Sequence, residues 1–275
     1  RQLQQKKKFE AERLKREQKR AMNAFQAQFS KELAKNVKPQ IQKLNSDLAS
    51  ASTSADVVTA LDSSGLMNAP TQGLNLMGPD TARSIGQAYS DICSKFPFLV
   101  GNIGRANCSR LGSSTYGQCS MSRGAIDFNT KYYGRGNEAS FAASFSNCIS
   151  TQFHPQGVMS KGAAYAVASH ELGHAIEGRL EKLMKAAGVD TTEKRKKRYF
   201  ISGRVKDKVL SNLPLVDDRS VIKAELSEYA AMDSAEFFAE AVSEYLCSRS
   251  PRPVAAEVGK ILERFLKNDF SDLGI

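Results

Sequence analysis

The chain has 275 residues, 41% of them hydrophobic, which suffices for one sizeable globular domain with an appendage. No apolar run reaches the roughly 18 residues of a membrane span, so a soluble protein with no membrane contact is expected. The net charge of +10 is uneven: residues 1–38 hold twelve Lys/Arg and four Asp/Glu, leaving 27 against 25 in the remainder. The basicity therefore belongs to an N-terminal arm and says little about the rest.

Residues 1–21 are polar helix formers without Gly or Pro, a solvated helix whose charge also suits weak contact with nucleic acid. Met22, Phe25, Phe29, Leu33, Val37, Ile41, Leu44 and Leu48 then recur every three or four residues. That spacing predicts one apolar helical stripe, kinked near Pro39. It must be buried against the main domain or another chain. Residues 1–50 thus read as a basic helical arm, and the Ser/Thr/Ala/Gly-rich stretch 51–79 as a linker. The main domain is expected over 80–275.

A helix is expected over 81–95, followed by strands at Phe98–Ile103, Gly117–Met121 and Ala125–Asn129. In the last, Ile126 and Phe128 alternate with Asp127 and Asn129, as in a half-exposed strand. It is the expected edge on which a peptide would dock, with Ile126 and Phe128 as substrate-binding positions. A long helix is predicted from Ser160, its N-cap, to Gly188, its stop. The basic run Lys194–Arg198 reads as a solvated connection. A helix from Asp233 or Ser234 ends before Pro251, and an amphipathic one, Val254–Leu266, follows. Five cysteines without C-x-x-C spacing read as reduced thiols, the rival being a Cys108–Cys119 bridge.

The chemistry concentrates in SHELGH. His170 and His174 lie four apart on the predicted helix, so both imidazoles project from one face and can reach one zinc ion. Glu171, one step around, is the expected general base toward a water at the metal. Gly173 removes a side chain where a strand or substrate passes close. No third histidine extends the motif downstream, and His154, in FHPQG, reads as an anchor of the preceding loop. The third ligand is expected to be a carboxylate on SAEFFAEAVSEYL, where Glu236, Glu240 and Glu244 line one face. Spacing alone leaves the choice between Glu236 and Glu240, because Asp233-x-x-Glu236 is also a capping box.

YAAMDSAEFFAEAVSEYL together with SHELGHAIE closely resembles the catalytic domain of anthrax lethal factor. It is more similar still to the metallopeptidase domains of Mu F-like minor head proteins of tailed phages. AIDFNTKYY, FHPQG and SRSPRP share the likeness, which covers roughly residues 80–260. The resemblance implies an α+β, zincin-like fold and a zinc-dependent endopeptidase. It implies Glu236 as third zinc ligand and Tyr229 as oxyanion stabiliser. Glu240 is then expected to orient a ligand histidine. The resemblance further implies a phage virion component or a toxin-like effector in the host cytoplasm, with a protein or peptide substrate. Phage head proteins are expected partners of the 22–48 stripe. The alternative is a catalytically silent zinc-binding module of a phage head. Retention of a base and a phenol beside three ligands argues against it, since a structural zinc needs neither.

Overall fold

The computed structural model describes residues 2–192, 199–212 and 218–274; the run Lys194–Arg198 lies outside the described residues. Within them the chain is α+β, mostly helix, with one small mixed sheet. No helix among the described residues is long and apolar enough to cross a membrane.

Helices α1 (Gln2–Leu33) and α2 (Lys38–Ser50) carry the apolar stripe. The expected kink is a full break, with the helix restarting so that Pro39 falls in the first turn, where its missing N–H costs nothing. The stripe is buried against this chain's own body. Phe25 packs 4.8 Å from Phe270 and Phe29 5.1 Å from Phe98, ring centre to ring centre. Only the start of α1 stands out in solvent.

The stretch 51–79 differs from the expected linker. It holds α3 (Ser54–Ser63), begun by a capping box in which Asp56 N–H donates to Thr53 Oγ1 (3.2 Å) and Thr53 N–H to Asp56 Oδ2 (2.8 Å). Val57 and Leu61, one turn apart, are buried. The Ser/Thr-rich composition that suggests a connection is here helix-cap chemistry. Helix α4 (Pro79–Lys95) follows as expected.

The run 98–103 is not a strand. Pro97 opens a 3₁₀ turn over Pro97–Leu99, and Gly101 turns the chain at φ +72°. The sheet is built from β1 (Ala106–Ser109), β2 (Gly117–Ser120) and β3 (Ala125–Asn129) in the order β1-β3-β2, with β1 parallel and β2 antiparallel to β3. This corrects the docking expectation. β3 is the central strand, paired on both sides, and Ile126 and Phe128 are fully buried core residues rather than substrate contacts. The outer side of β1 bonds to the backbone of Gln72 (2.8 and 3.0 Å). Among the described residues, β2 is the strand paired on one side only. Cys108 and Cys119 flank β3 on opposite strands, and all five thiols are free.

After α5 (Thr130–Tyr133) and α6 (Glu138–Ser150) comes the central helix α7 (Ala163–Ala186). Ser160 does not cap it: its hydroxyl donates to the Cys247 carbonyl, and α7 begins after Gly162. Helices α8 (Phe200–Leu210), α9 (Asp218–Glu225), α10 (Ser234–Cys247) and α11 (Pro253–Leu266) complete the fold. α7 lies beneath β2 and packs against α10. At Gly173 a Cβ would stand 3.0 Å from the Ala239 Cα, so this glycine admits α10 rather than a strand or substrate.

Two carboxylates of α7 take up free N–H groups of the first turn of α8. Glu181 accepts from Phe200 N–H (2.6 Å) and Glu177 from Ser202 N–H (2.7 Å). Glu177 is wholly buried, and its second oxygen has no hydrogen-bond partner. Burial pushes its carboxyl up to about 8 despite the Ser202 bond, and nearby Glu181 and Asp233 add repulsion. A folded-state value above the unfolded one means that stability is complete at low pH. It falls as pH rises from about 4.5 toward about 8. Glu177→Gln is therefore expected to be more stable than the wild type near pH 8, by ~2–4 kcal/mol, with the gap closing near pH 4.5. Denaturant unfolding across that range measures it; parallel profiles would show that this carboxyl ionises without cost to the fold.

Candidate metal centre

The two imidazoles of SHELGH stand where the 3.6-residue period puts them, on one face of α7, with ring centres 4.9 Å apart. α10 crosses that face because Gly173 and Ala239 let the two helices approach. Asp233 caps α10 by accepting from Glu236 N–H at 2.9 Å. The Glu236 side chain turns away from the cap and points into the cleft. Its Oε2 lies 3.1 Å from His170 Nε2 and 3.4 Å from His174 Nε2. One donor atom from each of the three residues lies within 4.8 Å of the others.

These donors fit a metal ion on the structure's own terms. Glu236 Oε2 is buried, faces two ring nitrogens and makes no hydrogen bond of acceptable geometry. A buried oxygen in that position lacks a partner that a cation between the three would supply. The electrostatics agree. Burial opposes a charge on His170, yet Glu236, Glu240 and Glu171 together raise its proton affinity well above the ordinary histidine range. Burial likewise opposes ionisation of Glu236, and His170 and His174 hold it far below the usual carboxylate range. The cluster stabilises a positive charge at its centre, either a proton or a metal ion.

The site residues singled out in the sequence therefore meet in one place, apart from Ile126 and Phe128. Glu240 stands 2.7 Å from His170 Nδ1, off the straight N–H axis, and holds the ring from behind. Two partners of Glu240 escape a reading of the sequence. His154 Nδ1 is 3.2 Å from both of its oxygens, and Ser227 Oγ donates to it at 2.9 Å. Against its burial, His154 and His170 hold the Glu240 carboxyl down at about 2. His154 is not among the three clustered donors; it anchors the loop before α7 to α10. No family model, curated protein or solved structure matches the chain.

Glu244, third on the face of α10, points elsewhere: Arg252 grips it through Nη2 (2.8 Å) and Nε (3.0 Å), and also donates to the Leu226 carbonyl. That clamp fixes the start of the loop carrying Tyr229. Backbone bonds from Glu228 N–H to Gln152 O (2.9 Å) and Tyr229 N–H to Phe153 O (3.1 Å) tie the loop down further. The half-buried Tyr229 ring lies 5.8 Å from that of His170. Burial, then Glu236, Glu171 and Glu240, push its phenol well up, so it is a hydrogen-bond donor at neutral pH.

Glu171 is buried beneath β2, where a Cβ on Gly117 would stand 3.0 Å from its Oε1. Burial raises its carboxyl; His170 and His174 pull it back, and Glu236 and Glu240 raise it again. A cavity of about 640 Å³ opens beside these groups. Tyr116, Phe145, Cys148, Phe153 and Val158 line it together with His170, Glu171 and Tyr229.

Proposed function

We propose that the chain is a zincin-like, zinc-dependent endopeptidase. The observation that carries this reading is the convergence of three metal donors, a buried carboxylate and a phenol on one cleft under a free strand edge. His170, His174 and Glu236 would hold the ion, a donor set that suits zinc. When bound, zinc supplies Lewis acidity toward a carbonyl oxygen and a water molecule.

The remaining chemistry belongs to the chain's own residues. Glu171 takes a proton from the attacking water and returns it to the leaving amine. Tyr229 donates a hydrogen bond to the negative charge that develops on the scissile carbonyl oxygen. Glu240, itself held by His154 and Ser227, keeps the His170 ring in place. The peptide docks as an extended strand on β2, whose Gly117 lies against Glu171. The aromatic cavity receives an apolar side chain next to the scissile bond. A place in a phage virion or as a toxin-like effector rests on the residues of the resemblance alone.

The test is mass spectrometry of a mixed peptide library incubated with the zinc-loaded chain and with the chelator-stripped chain. Cleavage is expected with zinc only, with aromatic or long aliphatic residues enriched at one position beside the cut. An intact library after incubation with the folded, zinc-loaded chain would leave a silent zinc-binding module as the better reading.

A further inference from the structure

A second cavity, of about 740 Å³, lies where the beginnings of β1 and β3, the β2–β3 turn and the second half of α7 meet. Its lining is basic where that of the cleft is aromatic. Arg105, Arg123, Arg179 and Lys182 face it, with the amides of Asn68 and Gln72 at its rim. Asp127 is the one carboxylate in the lining, and it already accepts from Asn107 Nδ2 (3.0 Å) and Ser109 Oγ (3.3 Å). Glu32 of α1 pairs with Arg179 (3.3 Å) but is shared with Lys35 at 2.7 Å and with the lining Asn102, which donates to it at 3.5 Å.

Several other cations of the fold are each held by a carboxylate: Arg83 by Asp80, Arg252 by Glu244, Arg264 by Asp272. Among the described residues, Arg105 and Lys182 have no carboxylate within ion-pair distance. Arg179 Nε is buried without a hydrogen-bond partner. Three cations without a carboxylate partner among the described residues, and a fourth shared with Glu32, against one engaged lining carboxylate focus a positive potential in this concave site. Guanidinium forks and an ammonium are the groups that recognise phosphoryl oxygens.

We propose that this cavity binds a small phosphate-bearing anion, independently of the metal centre. The proposal requires Arg105, Lys182 and Arg123 to be the contacting cations, and not the basic start of α1. Calorimetric titration of the full chain with tripolyphosphate and with ATP tests it, the two probes separating recognition of phosphate alone from recognition of a nucleotide. Saturable binding of one equivalent of either is expected. It should weaken by roughly a hundredfold in Arg105→Ala/Lys182→Ala, which removes two charge-assisted contacts. The single Arg123→Glu reversal, at an exposed turn residue, should weaken it as well. Lys6→Ala/Lys7→Ala/Lys8→Ala should leave it unchanged. All variants keep the metal centre, so chelation by the probe is common to all. No saturable binding of either probe, or binding that the cavity variants retain at the wild-type affinity, would overturn the proposal.

Discussion

Glutamine in place of Glu171 is expected to lower kcat for peptide hydrolysis by about 10²–10⁴-fold while zinc content stays at the wild-type level. The carboxyl lies one step around α7 from His170 and is buried beneath β2, where it lines the cavity. Burial lifts its proton affinity above the ordinary carboxylate range, though His170 and His174 oppose the lift. A carboxylate so placed can take a proton from water and give it up to an amine. Glutamine fills the same space against Gly117 but can do neither. Tyr229→Phe should lose less, about a hundredfold, because it removes one oxyanion donor and leaves the ring packed on Phe153 and His170. Steady-state kinetics beside elemental analysis distinguishes these outcomes. Wild-type turnover by the zinc-loaded glutamine variant would show that the base is another group and that Glu171 is a buried structural acid.

How far the sequence discloses this site depends on how local each relation is. The helical period is local, so the spacing of His170 and His174 places both on one face of α7 without further information. The glutamate helix is also legible, but which of its carboxylates reaches the histidines depends on how α10 rotates against α7. Spacing leaves Glu236 and Glu240 equivalent; the structure uses both, one at Nε2 and the other at Nδ1 of the same ring. The His154–Glu240–Ser227 contacts join three distant segments, and no local pattern signals them. Strand order is non-local in the same way. The alternation of Ile126 and Phe128 correctly gives a strand with two faces, but it carries no information about how many neighbours that strand has. Gly117–Ser120, the strand with the free side, is short and begins with glycine, and its importance comes from lying over Glu171. At Ser54–Ser63 the error is of another kind: small polar residues in Thr53–Asp56 are a helix start, and composition alone does not separate a start from a linker.

The wild type is expected to hold one zinc per chain, and His174→Ala to abolish that stoichiometric binding. The proposed ligand set has three members, so loss of one leaves two donors and no means of closing a tetrahedral site around a water. Glu236→Ala should behave alike, because Oε2 is the atom common to both short histidine contacts. Glu240→Ala should keep the metal but weaken it about 10–100-fold, since the His170 ring loses the carboxylate that orients it. Binding must displace the proton that the carboxylates stabilise on His170. Apparent affinity should therefore climb with pH through neutrality and fall as the site is acidified. Equilibrium dialysis followed by elemental analysis reads all three variants. Full zinc in His174→Ala would remove the site, and zinc held by Glu236→Ala but lost from Glu240→Ala would exchange the two glutamates. The proposed ligand set requires zinc to be lost from the first two variants and weakened in the third.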